Sequence, residues 1–268
     1  MIYIIPDAEK LSECVDFSRK HDLGWEFNDF MLPIVLDDEK KRSFLIEKYR
    51  SADMPERLSL HGAFLDVTVH SGDAKIREVS DYRVNQSIDL ARTLGCGKVI
   101  FHTNIIPNFL DKSYCDDWVC KNADYWIAKA RQNPDIEILM ENMFDITPDL
   151  MSQLAERICE VHNFGICLDY SHASIFGEGE NGADLFVDKL APYVRHIHIN
   201  DCDLVHDGHL TIGDGLINWE RFAEDYAERM SGASILIEVK GLEKQKRSLD
   251  FLLELFARHG ISDFQQHR

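Results

Sequence analysis

Short apolar runs alternate with longer amphipathic stretches from one end of the chain to the other. The runs predict strands over residues 2–5, 24–28, 58–61, 98–102, 136–141, 164–169, 194–199 and 234–239. A helical segment follows each. Leu150, Leu154 and Ile158 lie four residues apart and share one helix face, and similar patterns cover residues 76–94, 118–130 and 249–256. Strand–helix repeats without a composition shift or linker predict an α/β chain forming one (β/α)8 barrel over residues 1–268. A doubly wound open sheet is the alternative, but no GxGxxG follows the first strand to mark a dinucleotide site.

The polar residues sit where such a barrel places its chemistry. Six predicted strands end in a potential ligand: His61, His102, Glu141, Asp169, His198 and Glu238. Barrel active sites form at the carboxyl ends of the strands, so these side chains are expected on one rim. His172, Asp207 and His209 follow in loops just past the strands. One buried carboxylate or imidazole needs a partner or an ion; matching groups at several strand ends point to ions. The stretch VRHIHINDCDLVHDGHLTIGDGLINW shows the pattern in one piece. Alternation puts His196, His198 and Asn200 on one strand face, and the loop beyond delivers Asp201, Asp207 and His209. Gly213 and Gly215 turn the chain, and Asn218 is expected to cap a helix beginning at Trp219. His196, one step deeper than His198, reads as a supporting or core histidine. Trp126 and Trp219 fall at helical core spacing.

Composition narrows the partners. The chain has 268 residues, 45% of them hydrophobic, enough for a full core. No apolar run approaches the roughly 20 residues that span a bilayer, and MIYIIPDAEK reads as a strand rather than a signal peptide. Seven scattered cysteines without a CxxC read as reduced thiols in a cytoplasmic setting. The net charge of −18 repels nucleic acid at long range and favours a small-molecule partner. The loops SIFGEGENGAD, NDCDLVHDG and VHSGD carry acids and almost no Lys or Arg where phosphate recognition would need cations.

The segments HGAFLDV, FHTN, MEN, GICLDYSHA, HIND, DGHLTIGDG and IEV resemble the xylose-isomerase-like TIM barrels, a family that includes endonuclease IV and sugar phosphate isomerases and epimerases. The resemblance covers nearly the whole chain. It implies that His61 and His102 hold one ion, with Glu141 bridging to a second. Asp169, His198 and Glu238 would complete the second site, and His172, Asp207 and His209 would hold a third ion. Sugar isomerases of the family need only the equivalents of Glu141, Asp169, His198 and Glu238 around one ion. The full set therefore leans toward the hydrolytic branch, whereas the acidic loops and the short segment from His198 to His209 lean toward the small-molecule branch. The resemblance implies a metal-dependent enzyme on a sugar or sugar phosphate, an isomerase or epimerase in which Glu141 and Glu238 move the proton. The alternative is an endonuclease IV-like multi-zinc phosphoester hydrolase, acting on abasic-site DNA or a small phosphoester. The His, Asp and Glu donor set suits zinc first, with manganese or iron(II) as alternatives, in one to three ions. Lys240 is a candidate for a substrate phosphate, and Phe64 and Phe176 for a wall against a sugar face. A homo-oligomer remains open.

Overall fold

In the computed structural model, which describes residues 1–109, 111–179 and 181–261, eight parallel strands close into a barrel. They are β1 (Ile2–Ile4), β2 (Gly24–Phe27), β3 (Leu58–His61), β4 (Lys98–His102), β5 (Glu137–Glu141), β6 (Phe164–Asp169), β7 (Val194–Ile199) and β8 (Ser234–Ile237). Each strand pairs with its neighbour in chain order, and β8 closes on β1 through Ile2–Ile235, Tyr3–Leu236 and Ile4–Ile237. The expected barrel is therefore the observed one, and the open sheet is set aside.

The strand ends depart from the expected bounds by a residue or two, for a local reason. Past Ile237 the Glu238 N–H still donates to Ile199 O at 2.8 Å, while Val239 N–H turns back to Ile237 O at 2.9 Å. The chain leaves the ladder there, so Glu238 stands at the lip of the barrel.

The amphipathic stretches are helices, longer than their apolar faces alone suggested because polar caps extend them. Asp73 accepts from Lys75 N–H at the start of Ala74–Leu94, and Gly95 ends that helix in the left-handed region at φ 81°. Asp111 begins Lys112–Gln132 in the same way by accepting from Tyr114 N–H. Asp149–Ile158 buries Leu154 and Ile158, with Leu150 half-buried beside them. The main apolar core lies between the strands and this outer ring, and includes Trp25, Phe27, Phe101, Trp126 and Phe222. A second, small cluster of Ile100, Leu139 and Cys167 packs separately from it. Among the described residues no helix is long and apolar enough to cross a membrane.

Candidate functional site

β5 and β6 end in Glu141 and Asp169, His198 is the penultimate residue of β7, and Glu238 follows β8 directly. Strand pairing places His102 beside Glu141 and Asp169 beside His198. Glu141, Asp169, His198 and Glu238 each offer one ligand atom, all within 4.8 Å of one another, and all four are buried. His198 Nδ1 lies 3.2 Å from Glu141 Oε1 and 3.5 Å from Glu238 Oε2. His61, His102 and Glu141 form a second set within the same reach. There, His61 Nε2 and His102 Nε2 stand 3.7 and 3.3 Å from Glu141 Oε2. Glu141 thus turns one oxygen toward each set.

The three loop residues also meet. Asp207 Oδ2 sits 3.4 Å from His172 Nε2 and 3.2 Å from His209 Nε2. His172 donates Nδ1–H to Asn142 O at 3.0 Å, and His209 donates Nδ1–H to Glu238 O at 2.8 Å. Both Nε2 atoms are therefore free to face Asp207. His209 holds this pose from a left-handed backbone, φ 42°, which a residue with a Cβ adopts only at a cost of about 1 kcal/mol.

Electrostatics set these groups against one another. Burial alone would raise Glu141, but His198 and His102 hold its carboxyl well below the usual range. Glu238 is likewise lowered against burial by His198 and His209. Asp169 goes the other way: burial, with Glu141 and Glu238 adding repulsion, pushes it up to about 7 despite His172. His209 is raised to about 9, against burial, by Asp207 and Glu238. The donor set fits a divalent cation, because buried polar atoms in it lack a hydrogen-bond partner: Glu141 Oε2, Asp169 Oδ2 and His198 Nδ1. A proton held by Asp169 near neutrality competes with such an ion. Metal affinity of the apo-protein should therefore fall as pH drops through about 7; titration with a chelating dye from pH 6 to 8 measures it.

These residues face a cavity of about 300 Å³, at the small end of the roughly 300–1,000 Å³ range of small-molecule pockets. Its wall mixes the polar set with Ile5, Met31, Phe64 and Met143, and two cations, Lys240 and Lys244, stand at its edge. The profile of the family described as xylose isomerase-like TIM barrel matches residues 25–255. The chain belongs to this family. As a xylose isomerase-like barrel it superposes with a TM-score of 0.76 on the TTHB071 protein from Thermus thermophilus, soaked with ZnCl2; the two are 22% identical, over 96% of this chain and 99% of that one. A D-tagatose 3-epimerase-like protein gives a TM-score of 0.74 at 24% identity, over 98% of this chain and 100% of the other. At such identities these structures show the shared fold alone. The chain is also 28% identical over 206 residues to Uncharacterized protein MJ1311 of Methanocaldococcus jannaschii, covering 73% of this chain and 68% of that protein.

Within this xylose isomerase-like barrel every expected ligand lies near the mouth, with one exception in the loop after β7. Asp201 is fully buried, and its carboxylate is spent on scaffolding. Oδ1 accepts from Cys202 and Ile217 N–H, and Oδ2 accepts from Gly213 N–H and Trp219 Nε1–H, at 2.8 to 3.2 Å. Gly215 is required here, since a Cβ would fall 2.2 Å from Asp201 Oδ1. Asp201 thus ties the loop to the next helix through Trp219, and Asn218 caps that helix, its Oδ1 accepting from Arg221 N–H at 3.1 Å. Phe64 lines the cavity with its ring 5.0 Å from that of His102. Phe176 is not part of the wall; it packs 6.1 Å from the His172 ring and 5.2 Å from Phe144. Glu180, in one of the acidic loops, lies outside the described residues, as does His267. Cys167 comes within ligand reach of Glu141 and His198, but burial pushes its thiol up, so it packs as an apolar residue.

Sequence reasoning passed over Glu26, Asn28 and Lys244. Asn28 follows β2 as the ligands follow their strands, and its Nδ2–H donates to Glu238 Oε1 at 3.4 Å. Lys244 stands in the first turn of the helix Leu242–Arg258, four residues after Lys240. Glu26 is fully buried within β2, not at its end.

Proposed function

We propose that the protein is a metal-dependent isomerase or epimerase of a sugar or sugar phosphate, working at the Glu141–Asp169–His198–Glu238 centre. The observation that carries this reading is the pair of glutamates. From strand ends three apart around the barrel, Glu141 and Glu238 converge on one His198 nitrogen beneath a cavity of monosaccharide scale. Zinc suits the donors first, then manganese or iron(II); the bound ion would polarise a substrate carbonyl. Glu238 would take the proton from the carbon beside that carbonyl, and Glu141 would return or hold it. Asn28 orients Glu238 through its Oε1. The apolar side chains Met31, Phe64 and Met143 would cover the sugar's carbon face and exclude water. The similarity to a D-tagatose 3-epimerase-like protein supports the same substrate class.

Lys240 and Lys244 extend the reading to an anionic sugar. They are the cavity's only lysines, and among the described residues neither has an ion-pair partner in a chain of net charge −18. Lys240→Ala combined with Lys244→Ala should raise KM at least about tenfold, worth ~1.4 kcal/mol, for a phosphorylated sugar while sparing its neutral counterpart. Equal effects on both substrates would remove the lysines from phosphate recognition.

A hydrolytic reading is favoured by one observation, the second set of His61 and His102 on Glu141 Oε2, since paired ions can hold the attacking and leaving oxygens of a phosphoester. An abasic-site duplex tested beside ketoses, aldoses and their phosphates, with zinc, manganese or magnesium added, separates the two. Sugar interconversion and no duplex binding at about 0.15 M salt is the expected result, because few cations at the rim can neutralise backbone phosphates. Efficient incision of the abasic strand would overturn the sugar reading.

A further inference from the structure

Below the mouth, the barrel holds a buried layer of polar groups that the proposed chemistry does not use. Trp25 and Phe27 of β2 pack into the outer core, so strand alternation turns Glu26, between them, to the barrel interior. An interior carboxylate with no exposure is costly unless donors surround it. Three do. Ser59 Oγ–H donates to Glu26 Oε2 at 2.7 Å, His196 Nε2 lies 3.2 Å from the same oxygen, and His198 Nε2 lies 3.0 Å from Oε1. The imidazole approaches are off the ideal hydrogen-bond line, and their distances are those of contact.

The protons can be assigned outward from the far side of the barrel. Lys98 Nζ–H donates to Ser234 Oγ at 3.0 Å. Ser234 Oγ lies 2.7 Å from His196 Nδ1 and 3.3 Å from Arg195 O, and the Glu26 carboxylate beside His196 Nε2 favours the tautomer in which Nδ1 accepts from the Ser234 hydroxyl. His196 then carries its proton on Nε2, facing Glu26. Glu26 in turn selects the His198 tautomer that bears its proton on Nε2. That leaves the Nδ1 lone pair pointing at Glu141 Oε1 and Glu238 Oε2, an arrangement that a metal cation between them makes favourable.

We propose that Glu26, fixed by Ser59 and His196, is a positioning residue that holds His198 as an Nδ1 metal ligand. The inference rests on the proposed metal centre and adds a residue that touches neither ion nor substrate. A carboxylate behind a metal-bound imidazole fixes the ring and makes it a better donor, and losing such a partner costs about 10–100-fold in metal affinity. Glutamine at this position offers one acceptor oxygen to three donors and turns an amide N–H against one of them.

The test is metal affinity, measured by competition with a chelating dye for zinc, on wild type, Glu26→Gln and Ser59→Ala. Glu26→Gln should bind about 10–100-fold more weakly, and Ser59→Ala, which keeps the carboxylate and loses one donor, should fall between it and wild type. Unchanged affinity in a folded Glu26→Gln overturns the role of Glu26. Should Glu26→Gln not fold, the wild type decides by histidine ¹⁵N NMR of the zinc-loaded protein. His198 with its proton on Nε2 and zinc on Nδ1 supports the proposal; a proton on Nδ1, or metal on both nitrogens, overturns it. A wild type that binds none of zinc, manganese and iron(II) removes the metal centre itself, which a change confined to Glu26→Gln does not.

Discussion

Glu141→Gln should lower turnover by roughly three to four orders of magnitude while the barrel remains folded. Two losses combine at this position. Proton transfer by a positioned carboxylate contributes about 10²–10⁴-fold, and the amide has neither the charge nor the basicity to replace it. Glu141 also stands in both candidate ligand sets, with Oε1 toward His198 and Oε2 toward His61 and His102, so the substitution should weaken metal binding at both of them. Glu238→Gln, confined to one set, should cost about 10²–10⁴-fold through the proton alone and leave more metal bound. Far-ultraviolet circular dichroism and thermal unfolding check the fold, and elemental analysis checks the metal. If Glu141→Gln keeps both metal and activity, the site lies elsewhere.

Metal content should exceed one ion per chain in protein purified without chelator, and prolonged chelation should abolish activity. The expectation follows from three groupings that meet at one mouth: the four-residue set, the His61–His102–Glu141 set, and Asp207 between His172 and His209. Asp169→Asn should remove the ion from the first grouping, because the carboxylate Oδ2 is a buried atom without a hydrogen-bond partner. A clean stoichiometry of one would confine the ion to Glu141, Asp169, His198 and Glu238. His61, His102, Asp207 and His209 would then serve as substrate contacts or structural polar groups.

The barrel was legible because strand and helix periodicities differ and alternated without interruption. The candidate ligands were legible because six of the eight strand ends deliver one, a regularity that survives without any contact information. Asp201 shows where that reasoning stops. In sequence it cannot be told from Asp207 by type or position, and the difference is made by four donors, three backbone and one indole, that fold around it. Glu26 failed for the opposite reason. It interrupts an aromatic strand at Trp25-Glu26-Phe27, where an acid has no motif, and its partners lie far along the chain at Ser59, His196 and His198. Phe176 was expected to wall the pocket, but its ring packs against Phe144 and near His172 and is not among the residues facing the cavity.

The most direct measurement is proton exchange with solvent. The zinc- or manganese-loaded protein is incubated in deuterium oxide with a panel of ketoses, aldoses and their phosphates, and substrates and products are read by proton NMR. Interconversion of at least one sugar is expected, with deuterium entering only at the carbon beside the carbonyl, and that exchange should be lost in Glu238→Gln and Glu141→Gln. Interconversion without deuterium at that carbon would contradict proton transfer through the glutamate pair. Absence of exchange on every sugar, together with hydrolysis of a phosphoester by the same metal-loaded protein, would contradict the isomerase assignment itself.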